Sequence, residues 1–354
     1  SLLGTNFTNI SFGGASQSGN ISLQSNVTIP GTATVTFDGP LLLNAARTIT
    51  ASTVTAKAIN GSSAALTITG NAVFNGAVTS TSALSVSGTS AINANITTSG
   101  TQGYTGNATL GADVSLQTTN NNITFSGTLN SATSARALTI SAGTGVVTFT
   151  GAVGGTLALG ATSITAASVV HSSTLAGNST YAITGNATFG GAVSGITNLS
   201  VSGTSAINAN ITTSGTQGYT GNATLGAGVT LNSGNSNISF GGTLNSATSA
   251  RALTISAGTG TVTFTGAVGG TLALGATSIT AASVVHSSTL VGNSTYAITG
   301  NATFGGAVSG ITNLSVSGTS AINANITTTG TQGYTGNATL GAGVTLATTN
   351  NNIT

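Results

Sequence analysis

The chain has 354 residues, of which only 2% are charged, with four Lys or Arg against two Asp or Glu. An ordinary soluble domain carries about 25% charged residues, so neutralisation of nucleic-acid phosphates by a basic patch is not expected here. Disorder is not expected either, because disordered chains combine low hydrophobicity with high net charge, whereas 39% of this chain is hydrophobic.

The composition also indicates whether disulfides or membrane-spanning helices are expected. The chain has no cysteine, which rules out a disulfide framework and suits a chain exported unfolded. No apolar run is long enough to cross a bilayer as a helix, so we expect no transmembrane helix and no membrane insertion of this segment. No signal peptide is recognisable at the start, and we expect either that it was removed or that this segment is internal to a longer chain.

Residues 1–70 form a degenerate copy of a unit that recurs later in the chain. Residues 49–74 align with residues 164–189 at an offset of 115, as in Ile-Thr-Gly-Asn-Ala-Val-Phe against Ile-Thr-Gly-Asn-Ala-Thr-Phe. Further upstream, residues 9–12 (Asn-Ile-Ser-Phe) resemble residues 122–125 (Asn-Ile-Thr-Phe). We therefore interpret residues 1–70 as part of the same continuous fold.

The well-kept repeat follows this degenerate copy. Two full units, 71–185 and 186–300, and a partial unit, 301–354, correspond almost letter for letter. The same 13-residue run begins at Gly100, Gly215 and Gly330. Tandem repeats of this kind stack into an extended body in which each unit contacts its neighbours. We see no linker and expect no separate globular domain.

Within each unit, apolar residues alternate with Thr, Ser or Asn. Residues 137–141 (Ala-Leu-Thr-Ile-Ser) and 261–265 (Thr-Val-Thr-Phe-Thr) are examples. This period of two is typical of strands with one buried face. The runs are bounded by Gly and Asn, which accept the positive φ of tight turns. Helical periodicity is absent, so we predict an all-β fold.

The strand pattern favours a parallel β-helix, or β-solenoid, over a sandwich or a membrane barrel. Near-identical units need near-identical surroundings, which a closed sandwich does not offer three times, and 4% aromatics leave no girdle for a barrel. Strand signals recur about every 9–10 residues and similar pairs about every 19–24. At about 4.8 Å per coil, we predict roughly 15–18 coils in an elongated rod about 70–90 Å long.

Three stretches carry a resemblance to a known family. The chain resembles the strand-repeat segments of filamentous-haemagglutinin-type bacterial surface exoproteins. The resemblance implies a right-handed parallel β-helix, exported to the bacterial cell surface and used as a fibre or adhesin, with other copies or surface glycans as partners. The stretches are residues 100–113 (Gly-Thr-Gln-Gly-Tyr-Thr-Gly-Asn-Ala-Thr-Leu-Gly-Ala-Asp), 118–127 (Thr-Thr-Asn-Asn-Asn-Ile-Thr-Phe-Ser-Gly) and 138–155 (Leu-Thr-Ile-Ser-Ala-Gly-Thr-Gly-Val-Val-Thr-Phe-Thr-Gly-Ala-Val-Gly-Gly).

Catalytic groups are scarce. β-Helical carbohydrate enzymes need paired carboxylates, or Asp with Arg or Lys and often calcium. This chain has only Asp38 and Asp113, which lie in different copies, and no Glu. We therefore predict no catalytic residue, no cofactor, no metal site and no enzymatic activity. Gly143-Thr-Gly145 is interpreted as a turn, because no helix and no Walker lysine follow it.

Two histidines and two arginines recur at fixed repeat positions. His171 and His286 each end a Val-Val-His run, which offers either a metal ligand or general base, or an outward polar strand position. We favour the outward position. Arg136 and Arg251 offer either a row of cations for an anionic glycan, or exposed turn residues that aid solubility. We favour the turn residues.

Recurring aromatic and asparagine residues also have two interpretations. The aromatic rows could stack on sugars, but we favour interior packing. About twenty Asn-x-Ser/Thr sequons suggest either glycosylation or the strand alternation of Asn outward, aliphatic inward and Thr outward, which we favour. The aromatic rows are Tyr104, Tyr219 and Tyr334, and Phe74, Phe189 and Phe304; the sequons include Asn95, Asn107, Asn122, Asn178, Asn186, Asn210 and Asn222.

These observations predict a structural protein: the shaft of a cell-surface or extracellular fibre or adhesin, continued by further repeats or by head-to-tail stacking. A second hypothesis is a glycan- or ice-binding module that uses Thr-x-Thr rows such as residues 48–50, 53–55 and 67–69. A β-helical carbohydrate enzyme is the third hypothesis.

Overall fold

The structure is a computed structural model, and it describes residues 8–14, 16–341 and 343–354. The predicted degenerate unit 1–70 therefore lies in part outside the described residues. The chain divides into two compact units, Ser1–Ser179 (unit 1) and Thr180–Thr354 (unit 2). Parallel strands stack into a β-solenoid in both, and the two units together hold about 17 turns. The predicted all-β solenoid of 15–18 coils is confirmed.

The described part of unit 1 contains nineteen strands, most of them short. They are β1 (Asn9–Phe12), β2 (Ile21–Leu23), β3 (Val27–Thr28), β4 (Thr34–Leu43), β5 (Arg47–Asn60), β6 (Leu66–Phe74), β7 (Val78–Thr81), β8 (Leu84–Val86), β9 (Ser90–Ile92), β10 (Ile96–Thr98), β11 (Gln102–Tyr104), β12 (Ala108–Leu110), β13 (Val114–Gln117), β14 (Ile123–Phe125), β15 (Leu129–Ser131), β16 (Leu138–Ser141), β17 (Val146–Phe149), β18 (Thr162–His171) and β19 (Leu175–Ala176).

Unit 2 contains the remaining strands, with the same short lengths. They are β20 (Tyr181–Phe189), β21 (Val193–Ile196), β22 (Leu199–Val201), β23 (Ser205–Ile207), β24 (Ile211–Thr213), β25 (Gln217–Tyr219), β26 (Ala223–Leu225), β27 (Val229–Asn232), β28 (Ile238–Phe240), β29 (Leu244–Ser246), β30 (Leu253–Ser256), β31 (Thr261–Phe264), β32 (Thr277–His286), β33 (Leu290–Val291), β34 (Tyr296–Phe304), β35 (Val308–Ile311), β36 (Leu314–Val316), β37 (Ser320–Ile322), β38 (Ile326–Thr328), β39 (Gln332–Tyr334), β40 (Ala338–Leu340) and β41 (Leu346–Thr348).

Each turn of the solenoid has three strands, and each strand pairs in parallel with the strand one turn away. In unit 1, for example, β11 lies between β8 and β14, and β12 lies between β9 and β15. Strands therefore follow one another along the chain more closely than the 9–10 residues expected from the sequence. The strands of three residues each bury only two side chains, which makes them hard to tell from the turns beside them.

The inward side chains of successive turns align in register and form three interior columns in each unit. In unit 2 we name each column by one of its members. The Phe189 column holds Phe189, Ile207, Leu225 and Ser246, and continues from Leu244 through Val268, Leu290, Val308, Ile326 and Leu346. The Val193 column holds Val193, Ile211, Leu231, Ile255, Ile279, Ile298, Val316 and Tyr334. The Tyr219 column holds Ile183, Val201, Tyr219, Phe240, Phe264, His286, Phe304, Ile322 and Leu340.

Burial of these columns is the main source of stability. Phe240, Phe264 and Ile279, for example, are at most 1% exposed. Fully burying such a side chain contributes about 1.5–3 kcal/mol relative to leaving it in water. Aromatic rings on successive turns also stack, with ring centroids 5.3 Å apart between Phe240 and Phe264. The interior therefore consists mainly of Val, Ile, Leu and Phe, as predicted, and it also contains polar side chains such as Ser246 and His286.

The repeat does not correspond to a whole number of turns. Phe189 lies in the column named after it, but Phe304, its counterpart one repeat later, lies in the Tyr219 column. Likewise Val193 and its counterpart Val308 lie in different columns. The chain visits the three columns in a fixed order, and 17 visits separate Phe189 from Phe304, which is five and two-thirds turns.

Successive repeats in unit 2 are consequently rotated by one third of a turn about the solenoid axis. Unit 1 shows the same displacement between the degenerate copy and the following one. Ile49 lies in the column of Ile68 and Val86, whereas its counterpart Ile164 lies in the column of Ile140. Within each unit, a side chain that recurs after one repeat therefore points toward a different face of the solenoid.

One glycine position shows how tightly the turns approach each other. Gly70, Gly185 and Gly300 share a repeat position and have φ between 128° and 132°, a conformation that side chains with a Cβ rarely adopt. A Cβ added at Gly300 would lie 1.8 Å from the carbonyl oxygen of Ala281 on the preceding turn. The glycine is therefore required by both φ and space.

We predict that Gly300→Ala destabilises the protein by about 1–3 kcal/mol, because it adds backbone strain and forces Ala281 to move. Gly218→Ala is the matched control, since Gly218 has no positive φ and its nearest neighbour to an added Cβ is 3.7 Å away. Chemical denaturation followed by circular dichroism measures both variants. Equal stability of the two variants would contradict this account of turn packing.

Candidate functional site

The outward surface is made mainly of Thr, Ser, Asn and Gly, and its asparagines have a structural task. At the corners, an asparagine Oδ1 accepts a hydrogen bond of 2.8–3.0 Å from a backbone N–H of the next turn. This satisfies corner N–H groups that the strand ladder leaves without a carbonyl. The asparagines are Asn71, Asn95, Asn107, Asn122, Asn186, Asn198, Asn210, Asn222, Asn237, Asn301, Asn313 and Asn325.

This contact accounts for most of the sequons. In Asn95-Ile96-Thr97 the asparagine and threonine are outward and the isoleucine is buried, as the strand alternation predicts. The asparagine begins a strand at a corner, the next residue enters a column, and the third faces outward. Of the seven sequons singled out in the sequence, only Asn178, which is exposed, lies outside the corner set.

The histidines correct one sequence-based expectation. His171 and His286 were expected on the outward side of their strands, but each is only 1% exposed. At the ends of β18 and β32 the side chains alternate between the interior and the surface. Val169 and Val284 face the interior, so the histidine two residues later also faces the interior and the second valine does not. The Val-Val-His pattern hides this alternation, because two adjacent valines suggest burial of both.

His286 lies inside the aromatic stack of the Tyr219 column. Its ring is parallel to those of Phe264 and Phe304, with centroid distances of 4.6 Å and 5.9 Å. Its Nε2 is 2.9 Å from the hydroxyl of Tyr296, while its Nδ1 has no hydrogen-bond partner. Burial lowers the pKa of His286 to about 3, so the imidazole is neutral. In unit 1, His171 stacks on Phe149 in the same way, at 4.8 Å.

A second buried polar group was missed by the sequence analysis. Gln217 is 1% exposed and its Nε2 donates to the carbonyl of Asn232 at 2.8 Å, while the Tyr219 hydroxyl donates to its Oε1. Gln102 and Tyr104 repeat the arrangement in unit 1. The glutamine side chain thus satisfies a backbone carbonyl that faces the interior. The only signal for it in the sequence is the recurring Gln-Gly-Tyr, and the tyrosines are interior as expected.

Two arginines and two aspartates make hydrogen bonds that join neighbouring turns of the solenoid. Arg136 and Arg251 are half-buried, and each stabilises a loop: the backbone N–H of Arg251 donates to Ser246 Oγ and its carbonyl accepts from Gly275. They lie in turns, as predicted, but are less exposed than expected. Asp113 accepts a hydrogen bond from the backbone N–H of Ala137 at 3.0 Å, and Asp38 accepts one from Ser11.

Clusters of metal-ligating side chains and surface depressions bear on the expectation of a chain without catalytic sites. Within residues 8–14, 16–341 and 343–354, no three His, Asp or Glu residues come close enough to hold a metal ion. The surface depressions in unit 1 are shallow, at about 360 Å³ or less. The first is lined by Thr, Asn, Ala, Val and Ser of neighbouring turns. No helix that could span a bilayer occurs in the part of the chain that the structure describes.

The threonine rows are short. In unit 1, Thr48 and Thr67 are neighbours on adjacent turns, but the next two positions of that row are Ser85 and Gly103. In unit 2, the outward row beside the Tyr219 column is interrupted by Val285 and Ala321. No extended flat array of threonines arises in these rows.

We predict that Asn301→Ala lowers the free energy of unfolding by about 0.5–1.5 kcal/mol, the usual net contribution of one hydrogen bond. The reason is that Asn301 Oδ1 accepts from the N–H of Thr319 at 2.9 Å. Asn301→Asp keeps the acceptor and is expected to lose less. Denaturant unfolding of both variants tests this, and an alanine variant as stable as the parent would show that corner asparagines contribute nothing.

Comparisons with known proteins add no further constraint. No family model, no curated protein and no solved structure matches the chain. The structure therefore shows that this is a β-solenoid tandem-repeat protein, and the resemblance to haemagglutinin-type exoproteins enters only the proposal that follows.

Proposed function

We propose that the chain is the shaft of an extracellular structural protein, a fibre or adhesin stalk at a bacterial surface, without enzymatic activity. The observation that carries this proposal is the regular parallel stacking of solenoid turns around a mainly apolar interior. Such a stack is stiff along its axis, because each turn is hydrogen-bonded to its neighbours through parallel strand ladders. The resemblance to filamentous-haemagglutinin-type exoproteins supports the bacterial surface as the location.

The rotation between repeats supports a shaft over a one-sided binding module. A ligand-binding face needs equivalent groups aligned along one side. In unit 2, equivalent groups such as those beside Phe189 and Phe304 face different sides. Equivalent surface residues of the two repeats in unit 2 therefore lie on different sides of the solenoid axis. This arrangement suits a shaft better than a protein with one binding face. The interrupted threonine rows give no support to the glycan- or ice-binding alternative.

Structural use of the few carboxylates supports the non-enzymatic part of the proposal. Asp113 accepts a backbone hydrogen bond across a turn, and Asp38 binds Ser11. The two carboxylates thus hold separate turns together. A carbohydrate-cleaving pair needs two carboxyl groups facing one groove, about 5–10 Å apart, and we assign the aspartates no such role.

We also propose other copies of this chain as partners. Leu340 and Ile353 in the last turn are 54% and 42% exposed. Their counterparts Leu225 and Ile238 are fully buried under the turn that follows them. A turn of the same sequence type stacked on this edge would bury these side chains and pair the open strands, which are otherwise prone to association.

The test is a deletion of one repeat. Removing residues 186–300 joins Gly185 to Asn301, and residues 301–328 are identical to residues 186–213, so every new neighbour matches the original one. We predict a folded shaft shorter by about 27 Å, which is five and two-thirds turns at about 4.8 Å each. Electron microscopy of negatively stained particles measures the length.

A deletion of residues 186–276 is the matched control, because it joins Gly185 to Thr277 and brings non-equivalent turns together. We expect this control to unfold at a lower denaturant concentration than the repeat-deleted protein, as measured by circular dichroism, because its inward side chains meet non-equivalent neighbours at the junction. A repeat-deleted protein that fails to fold, or that keeps its original length, would contradict the proposed shaft.

A further inference from the structure

The buried His286 is the group in unit 2 whose position is least consistent with an inert shaft. Its ring occupies a place in the Tyr219 column that Phe240, Phe264 and Phe304 hold on other turns. A phenylalanine would continue the stack without any polar atom. The histidine instead places two nitrogens in the interior, and only one of them has a partner.

The surroundings of His286 cannot accommodate a charge. β31 contributes Phe264, and β34 contributes Tyr296 and Phe304. β30, which also packs against β32, contributes Leu253 and Ile255 to the interior. Among these side chains the Tyr296 hydroxyl is the one titratable group, and burial raises its pKa, so it stays neutral.

Protonation would therefore leave a cation without a counter-charge. A protonated imidazole has two N–H donors, and only Nε2 has a group to bond, since Nδ1 faces no acceptor. Both aspartates of the chain precede Thr180, so unit 2 contains no Asp or Glu side chain. Relief comes only from opening the turn to water, because an unpaired buried charge is costly.

We propose that His286 is an acid-sensitive switch in the solenoid wall. Protonation of its imidazole disfavours the closed, stacked conformation, so the turns around β32 open as the pH falls. The repeat-related His171 is also buried and stacks on Phe149 in unit 1. His171 and His286 lie one repeat apart, whereas the degenerate copy has Ala56 at the same repeat position.

The direction of the effect follows from proton linkage. The folded pKa of His286 is about 3 and the unfolded value is about 6.5. Stability is therefore complete above about pH 6.5 and falls as the pH drops toward 3, because only the open state binds the proton. Between pH 7 and pH 5 the opening equilibrium should increase about 25-fold for each histidine.

Hydrogen exchange of the full chain, read by mass spectrometry on peptides that cover β32 and β34, tests this. After correction for the intrinsic exchange rate at each pH, the protection of these peptides should fall about 25-fold between pH 7 and pH 5. In His286→Phe, whose new ring fits between Phe264 and Phe304, protection should not change. His171→Phe is the matched control and should leave the fall in β32 and β34 intact.

Two results would overturn the proposal: equal protection at both pH values in the parent protein, or an undiminished fall in His286→Phe. A second measurement needs no variant and remains decisive if the phenylalanine protein does not fold. The imidazole of His286 is titrated by NMR in the intact protein. Ordinary titration near pH 6.5 with the fold unchanged would show that the interior tolerates the charge, and no switch would exist.

Discussion

The parallel register between successive turns is the constraint on which the rest of this structure depends. Once a strand pairs with the strand one turn away, inward side chains lie above inward side chains and must fit the residues one turn away. Val284, for example, is paired with Val262 and Ala302. Apolar side chains inside, glycine where turns touch, and asparagine at corners are all consequences of this single geometry.

The same register explains why the sequence repeat need not be a whole number of turns. Each turn has three strand positions with similar interiors, so a repeat is compatible with the solenoid whenever it contains a whole number of strand positions. In unit 2 that number is 17. Three such repeats would bring a residue back to its original column. Within unit 2, equivalent surface residues of the two repeats are thereby displaced by one third of a turn.

Much of the fold was predictable from the sequence, because strand alternation and tandem identity are local, readable signals. The interior place of Tyr219 and Phe304, the turn at Gly143-Thr-Gly145 and the alternation within Asn95-Ile96-Thr97 all follow from them. The number of strands per turn was not predictable, since strands of three residues hardly differ from turns. The rotation between repeats depends on that number and was hidden for the same reason.

The candidate site was less predictable than the fold. His286 was assigned to the surface on the basis of polarity, although its burial depends on which of two adjacent valines faces inward. Gln217 was overlooked because a buried glutamine is recognisable only from the carbonyls that it binds. His286 packs between Phe264 and Phe304, and Gln217 binds the carbonyl of Asn232. These partners are distant in sequence, so local patterns do not reveal them.

The most direct test of the central claim uses the absence of cysteine. Pyrene labels are attached to Thr303→Cys paired with Ala321→Cys, its register partner on the next turn. In the control protein the second label is on Ser315→Cys, which is nearer to Thr303 in sequence but lies beside the Val193 column. Register partners lie about 4.8 Å apart, so the register pair should give strong excimer emission and the control pair little. Stronger emission from the control pair would contradict in-register stacking.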